Sequence, residues 1–319
     1  MPRRVPYQAI ADLLQQGKVI PFLGAGINSC LRNSDDEKWK EDSPFLPCGD
    51  ELSRYLATKS SFPGVDDHDS CDLAKVSSYY VEALGRAPLR DCLTSVFSRN
   101  LVPSTIHRYL ALVDKPLLIV TTNYDDLTEK AFIEEKRPYY LVSHLTDRTD
   151  WAEAVLWWKY DPANPDFGKP ETFRPDPVPP ADLSRFIDLT TTTVIYKMHG
   201  TVDNYLNEWA SYVITEDDYV DFLSRMTTNT AVPAMFIKYF SERHFLFLGY
   251  GLRDWNFRVV LRDLFRNRRP DQRRSWAIQY QPSELEKQLW DRRGVDIYDM
   301  SVKEFEKDLR SLQQAAQGL

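Results

Sequence analysis

Short apolar runs recur along this chain, and each stops at glycine or polar residues. Val19–Leu23 leads into Gly24-Ala25-Gly26-Ile27, residues 117–120 into Thr121-Thr122-Asn123-Tyr124-Asp125, residues 194–198 into His199-Gly200, and residues 245–248 into Gly249-Tyr250-Gly251. Runs of this length, bounded by turn residues, fit strands buried on both faces, as in a parallel sheet. The segments between them read as helices. Residues 7–17 place Ile10, Leu13 and Leu14 on one side, with Gly17 closing the helix before the first strand. Helical patterns at about 50–59, 71–84, 87–99 and 104–113 predict a mainly helical insertion, about 30–114, between the first and second strands.

Further along, Asp126-Leu127-Thr128-Glu129 fits a capping box opening a helix that runs to about residue 136. A strand is expected at 139–142. Residues 143–192 hold Trp151, Trp157, Trp158 and a proline-rich stretch at 161–180, which predicts an irregular surface insertion. A short strand at 212–214 precedes a helix over 216–225, with Thr215 and Asp218 as its cap. Helices at 233–240 and 255–265, the latter capped by Asp254, flank a strand at 244–248. Strands at 275–279 and 295–298 alternate with helices near 282–292 and 301–316. Such alternation predicts one α/β domain over residues 1–319: a Rossmann-like, doubly wound, mainly parallel sheet.

Composition narrows the class without choosing the function. The 319 residues are 43% hydrophobic, enough for a full core, and no apolar run approaches the roughly 18 residues of a membrane helix. The start, Met-Pro-Arg-Arg-Val-Pro-Tyr-Gln, lacks a secretory apolar core, so a cytoplasmic protein is expected. A formal net charge of -7 offers no general attraction for nucleic acid; the basic run at 266–274 reads as a solvated loop. Cys30, Cys48, Cys71 and Cys92 form no Cys-x-x-Cys pair, which argues against a conventional zinc module and, in the cytoplasm, against disulfides. His68, His107, His144 and His244 show no ligand spacing.

In an open α/β sheet, ligands bind outside the carboxyl ends of the parallel strands, where all four motifs fall. Gly24-Ala25-Gly26 lets backbone amides approach an anionic ligand, and a nucleotide phosphate fits. The same glycines equally fit a tight turn with no ligand. Asn123 is a residue depleted in strands, standing where a strand meets the crevice. Asp125 or Asp126 could instead cap the following helix, and His199 could be a satisfied strand-end histidine. A dinucleotide fingerprint of the dehydrogenase kind would need glycine where Ser29 stands and a second strand near 41–50, and neither is present.

Taken together and in order, Gly24-Ala25-Gly26-Ile27, Thr121-Thr122-Asn123-Tyr124-Asp125, His199-Gly200 and Gly249-Tyr250-Gly251-Leu252 resemble the NAD-binding motifs of the sirtuin superfamily. The chain looks most like the sirtuin-like domains of bacterial anti-phage systems. It departs from the protein deacylases, which carry an Ile-Pro-Asp-Phe-Arg-like segment where Asn28-Ser29-Cys30-Leu31-Arg32 stands here, and a four-cysteine zinc module that this chain lacks.

The resemblance implies hydrolysis of NAD to nicotinamide and ADP-ribose, with Asn123 holding a ribose hydroxyl or the attacking water and His199 as general base. Free histidine titrates near pH ~6.5, so His199 is expected to serve near neutrality without a large shift. Asp125 would face the nicotinamide amide. Gly24, Ala25 and Gly26 would hold the pyrophosphate, with Ile27 and Thr122 among the binding residues, and Gly249, Tyr250 and Gly251 the adenosine half. No metal is implied. Unregulated NAD loss would kill the cell, so an oligomer or a partner is expected as the trigger, such as a separately encoded hexameric ATPase. Protein deacylation, ADP-ribosyl transfer, or NAD sensing without cleavage are the alternatives.

Overall fold

Alternation within single strands fixes the layers. Along Val19–Leu23 (β1), Ile20 and Phe22 enter one core and Val19 and Leu23 another, all four fully buried. The computed structural model describes residues 4–34, 37–64, 69–145, 154–164, 175–203, 209–227, 232–251, 258–259, 261–262 and 274–317. The strands after β1 are Leu118–Thr121 (β2), Tyr139–His144 (β3), Val155–Tyr160 (β4), Asp176–Val178 (β5) and Thr193–Lys197 (β6). Then come Gly200–Thr201 (β7), Ser211–Tyr212 (β8), His244–Leu248 (β9), Ser275–Gln279 (β10) and Val295–Asp299 (β11).

Among the described residues, nine strands form one sheet in the order β11-β10-β9-β1-β2-β6-β3-β4-β5. Every pairing from β11 to β3 is parallel, and β4 and β5 add antiparallel at one edge. β7 and β8 make a separate antiparallel pair. The expected doubly wound, mainly parallel α/β architecture is therefore present.

Helices cover both faces. One core joins the sheet to Phe236 and Phe240 of Ala234–Glu242 (α8) and to Trp290 of Glu284–Asp291 (α9). The opposite core takes Ile10 and Leu14 of Tyr7–Gln15 (α1), Ile106 and Leu110 of Thr105–Ala111 (α5), Phe132 of Leu127–Glu134 (α6), and Phe305 and Leu309 of Val302–Gln317 (α10). Each fully buried side chain of this kind contributes roughly 1.5 to 3 kcal/mol. The insertion between β1 and β2 folds as helices Gly49–Ser60 (α2), Leu73–Leu84 (α3) and Arg86–Phe97 (α4), ahead of α5. They share a third core, which includes Tyr124 and Leu127 from beyond β2 and Tyr212 from β8. The insertion thus packs against the loop that follows β2.

Three expectations need correction. Asp126 makes no side-chain cap; it pairs with Lys130 at 2.9 Å, while Glu129 turns inward to Lys197, so the predicted capping box does not form. The segment 143–192 is not wholly irregular: β3 runs on to His144, and β4 and β5 extend the sheet, with Trp157 and Trp158 paired across to Val142 and Leu141. The strand expected at 212–214 is shorter, Ser211–Tyr212, and pairs with β7. The helix that follows it, Glu216–Thr227 (α7), carries the predicted reciprocal cap: Asp218 N donates to Thr215 Oγ1 at 3.1 Å and Thr215 N to Asp218 Oδ2 at 2.9 Å. Most of the helix expected at 255–265, with Asp254, and the basic run up to residue 273 lie outside the described residues.

Candidate functional site

The four strands carrying the four motifs, β9, β1, β2 and β6, are consecutive in the sheet and parallel, so their carboxyl ends share one edge. There Gly24, Ala25, Gly26, Thr122, Asn123, Asp125, His199, Gly249, Tyr250 and Gly251 line one cavity of about 490 Å³. The helical insertion closes part of it with Pro47, Cys48, Gly49, Asp50, Leu52 and Leu73, and α7 contributes Tyr219. Of the residues assigned from sequence, Ile27 is not brought to the cavity. Its side chain is fully buried in the core beneath the loop.

The glycines answer to the fold as well as to any ligand. A Cβ on Gly26 would stand 2.7 Å from Gly249 O, and one on Gly249, whose φ is +64°, would stand 2.1 Å from Ile27 N. The β1 and β9 loops therefore pack backbone against backbone, which a side chain at either position would block. The amides are committed too: Gly24 N donates to Leu248 O at 3.0 Å, Gly26 N to Gly249 O at 2.8 Å, and Ile27 N to Gly24 O at 3.0 Å. Gly251 differs. A Cβ there would meet nothing within 4 Å.

Asn123 is aimed by its neighbours. Thr121 Oγ1 donates to Leu23 O at 3.0 Å and accepts from Asn123 N at 3.0 Å, while Asn123 Nδ2 donates to Gly24 O at 3.2 Å. The side chain so held lines the cavity. Asp125 takes the helix-start role that the sequence offered, Oδ1 accepting from Leu127 N at 3.1 Å at the start of α6, and it also lines the cavity, with Oδ2 accepting from Asn28 Nδ2 at 3.4 Å. Asn28 had no assigned role. It is 2% exposed with Oδ1 buried and without a hydrogen-bond partner. A polar residue directly after Gly24-Ala25-Gly26-Ile27 was the available signal.

His199 lies at the turn after β6, with its carbonyl accepting from Val213 N at 2.9 Å. Tyr219 and Phe222 of α7 meet its ring edge-on, at centroid distances of 5.4 and 5.6 Å. The ring is 3% exposed, and Nε2 is buried without a partner among the described residues. Burial among these aromatics pushes the imidazole down from its ordinary value to about 3. The expectation of a histidine titrating near neutrality therefore does not hold, and the ring is neutral at physiological pH. It can accept a proton without first losing one.

The other histidines stand apart from this cavity. His107 closes the cap of α5, with Nδ1 at 2.8 Å from Ser104 Oγ. His244 stacks on Trp276 at the far end of β9. His144, at the end of β3, is buried against Phe222 with neither ring nitrogen bonded. His68 lies outside the described residues. Among the described residues no group of three or more His, Cys, Asp and Glu is placed to hold a metal ion, and no helix is long and apolar enough to cross a membrane.

Comparison with known proteins gives a consistent setting. The family described as SIR2-like domain matches residues 117–298, more than half of the chain. NAD(+) hydrolase ThsA of Enterococcus faecium is 26% identical over 284 residues, which cover 87% of this chain and 46% of that protein. Defense-associated sirtuin 2 of Bacillus subtilis is 20% identical over 294 residues, 91% of this chain and 24% of that protein. The chain thus spans less than half the length of these curated relatives.

Proposed function

The chain belongs to the SIR2-like domain family, and from that premise we propose that it hydrolyses NAD at the bond between nicotinamide and ribose, as an NAD-depleting effector of anti-phage defence. The observation that carries this reading is convergence: Asn123 and His199, from neighbouring strands, face one cavity rimmed by the loops of β1 and β9. The relatives' names, an NAD hydrolase and a defence-associated sirtuin, support the same reading. In the reaction NAD and water become nicotinamide, ADP-ribose and a proton.

Breaking the bond releases neutral nicotinamide and leaves positive charge on the ribose, so no acid is needed for departure. Asn123 Oδ1 would hold a ribose hydroxyl or the water beside that carbon. His199 Nε2 would take the water's proton. A base this weak is sufficient, because water bonding to a cationic carbon becomes far more acidic than bulk water. Asp125 and Asn28, one carrying acceptors and the other a donor and an unpartnered acceptor, suit the carboxamide of nicotinamide. Ala25, first in the turn after Gly24, and Gly251, open to the cavity, are the backbone positions left for the phosphates and the adenosine half. The resting chain would be restrained until assembly or a partner, such as a separately encoded ATPase, relieves it.

Nicotinamide release, NAD binding and thermal unfolding of Asn123→Ala and His199→Ala test the reading under conditions where the unaltered chain is active. Each change should lower turnover by about 10² to 10⁴ and cost stability within the ordinary range of roughly 0.5 to 3 kcal/mol. His244→Ala, outside the cavity, should keep its turnover. Site variants that fold, bind NAD and turn over at the unaltered rate would place the chemistry elsewhere.

A further inference from the structure

Lys197 ends β6 with its side chain 0% exposed, in a strand otherwise made of apolar and hydroxyl side chains. Its ammonium reaches in two directions. It donates to Tyr124 O at 3.4 Å and to Asp125 O, the carbonyls of the two peptides that flank Asp125, and to Thr201 Oγ1 at 3.0 Å, two residues past His199. Glu129 of α6 supplies the counter-charge at 2.6 Å. Val202 N also donates to Tyr124 O, at 2.9 Å, so the two loops meet at one carbonyl.

We propose that Lys197, held by Glu129, is a positioning residue that sets the loop carrying Asn123 and Asp125 against the turn carrying His199. The inference deepens the hydrolase reading and rests on it for the meaning of the two loops. A buried ion pair adds little to stability over apolar side chains of the same volume, so stability alone does not call for a lysine here. What an apolar side chain would lack is the donor to two loop carbonyls. Those carbonyls belong to the two peptides that flank Asp125, in the segment that begins directly after Asn123, and misplacement of a reacting group by about 1 Å can cost ~10²-fold in rate.

The test separates holding the fold from holding the loops. Lys197→Met alone strands the Glu129 carboxylate, so the informative variant is Lys197→Met with Glu129→Leu, which keeps the volume and removes both charges. Glu129→Gln is the companion: it keeps an acceptor for Lys197 and the carbonyl bonds but removes the counter-charge, so its melting temperature should fall, and the exchange of the loop is what it reads. Thermal unfolding, hydrogen exchange of the peptide covering 121–127, NAD affinity and nicotinamide release are measured on each. The double variant should melt close to the unaltered chain, exchange this peptide at least about tenfold faster, and turn over about 10²-fold more slowly with NAD affinity within a few-fold. Glu129→Gln should resemble the unaltered chain in exchange and turnover.

A double variant with unaltered exchange overturns the proposal, as does a Glu129→Gln variant that loosens the loop as much as loss of the lysine. Should the unaltered chain release no nicotinamide even when assembled and supplied with its activating partner, the hydrolase reading fails on that result alone. The exchange measurements then still decide whether Lys197 holds the two loops.

Discussion

Mild acid should destabilise this protein before its ordinary carboxylates begin to titrate. His107, His144 and His199 are all buried, and burial lowers each from 6.5 to about 3. The unfolded chain therefore binds protons that the folded chain refuses, and stability falls as pH drops from 6.5 toward 3. Taking pH from 7.5 to 5.5 costs about 1.3 kcal/mol for each ring, or about 4 kcal/mol for three. Glu129 opposes this. Its burial outweighs the attraction of Lys197 and raises it from 4.5 to about 7, so folding takes up a proton there as pH falls. That gain is about 2 kcal/mol over the same interval, leaving a net loss of about 2 kcal/mol, a sizeable part of a typical stability of roughly 5 to 15 kcal/mol. Urea unfolding at pH 7.5, 6.5 and 5.5 reads the effect directly. His144→Gln, which does not line the cavity, should remove about one third of the histidine contribution and flatten the dependence. Midpoints that stay level or rise toward pH 5.5 would refute the account of buried neutral rings.

Three further predictions concern the cavity. Gly249→Ala forces a side chain into a backbone at φ +64° and within 2.1 Å of Ile27 N, and should cost at least about 2 kcal/mol, seen as a lowered melting temperature. Gly251→Ala meets nothing within 4 Å, so it should leave stability within roughly 0.5 kcal/mol while weakening NAD binding; equal affinity by titration calorimetry would remove Gly251 from the binding surface. Because the His199 ring is neutral above about 3, kcat should show no inflection near pH 6.5 within the range where the chain stays folded. A rate falling through a pKa near 6.5 would mean that substrate binding restores an ordinary imidazole.

The fold was legible because its signals are local. Strands such as β1 and β9 are unbroken apolar runs, and Gly17, with φ +67°, closes the first helical segment as its position implies. The candidate residues were also legible, since parallel strands bring their ends together whatever lies between them. Contacts made only by tertiary structure were not. Glu129 satisfied a capping-box pattern, yet the interior offered it Lys197; the pattern carries no information about a partner 68 residues away. The extension of the sheet by β4 and β5 was hidden by proline-rich sequence, although Trp157 and Trp158 are residues that strands favour. Lys197 itself left a signal that could have been used: a lysine inside an apolar strand must find a buried partner.

The glycines and the polar atoms of the cavity point to different requirements. Gly26 and Gly249 are demanded by the contact between two loops, so their presence would follow from the fold even without a ligand. Asn28 Oδ1 and His199 Nε2 are not demanded by the fold in this way, for neither finds a partner among the described residues. A buried polar atom left without any partner costs roughly 1 to 3 kcal/mol, and both of these belong to residues that line one cavity. Unbonded atoms alone do not define a site, since among the described residues His144 has two of them beside Phe222 and is not itself part of the cavity lining. Convergence does. A guest offering a donor to Asn28 Oδ1 and a proton to His199 Nε2 would recover at binding what folding gave up, and it would recover it beside Asn123 and Asp125. A carboxamide and a ribose with its attacking water are groups with that chemistry, and NAD carries both on either side of a single bond.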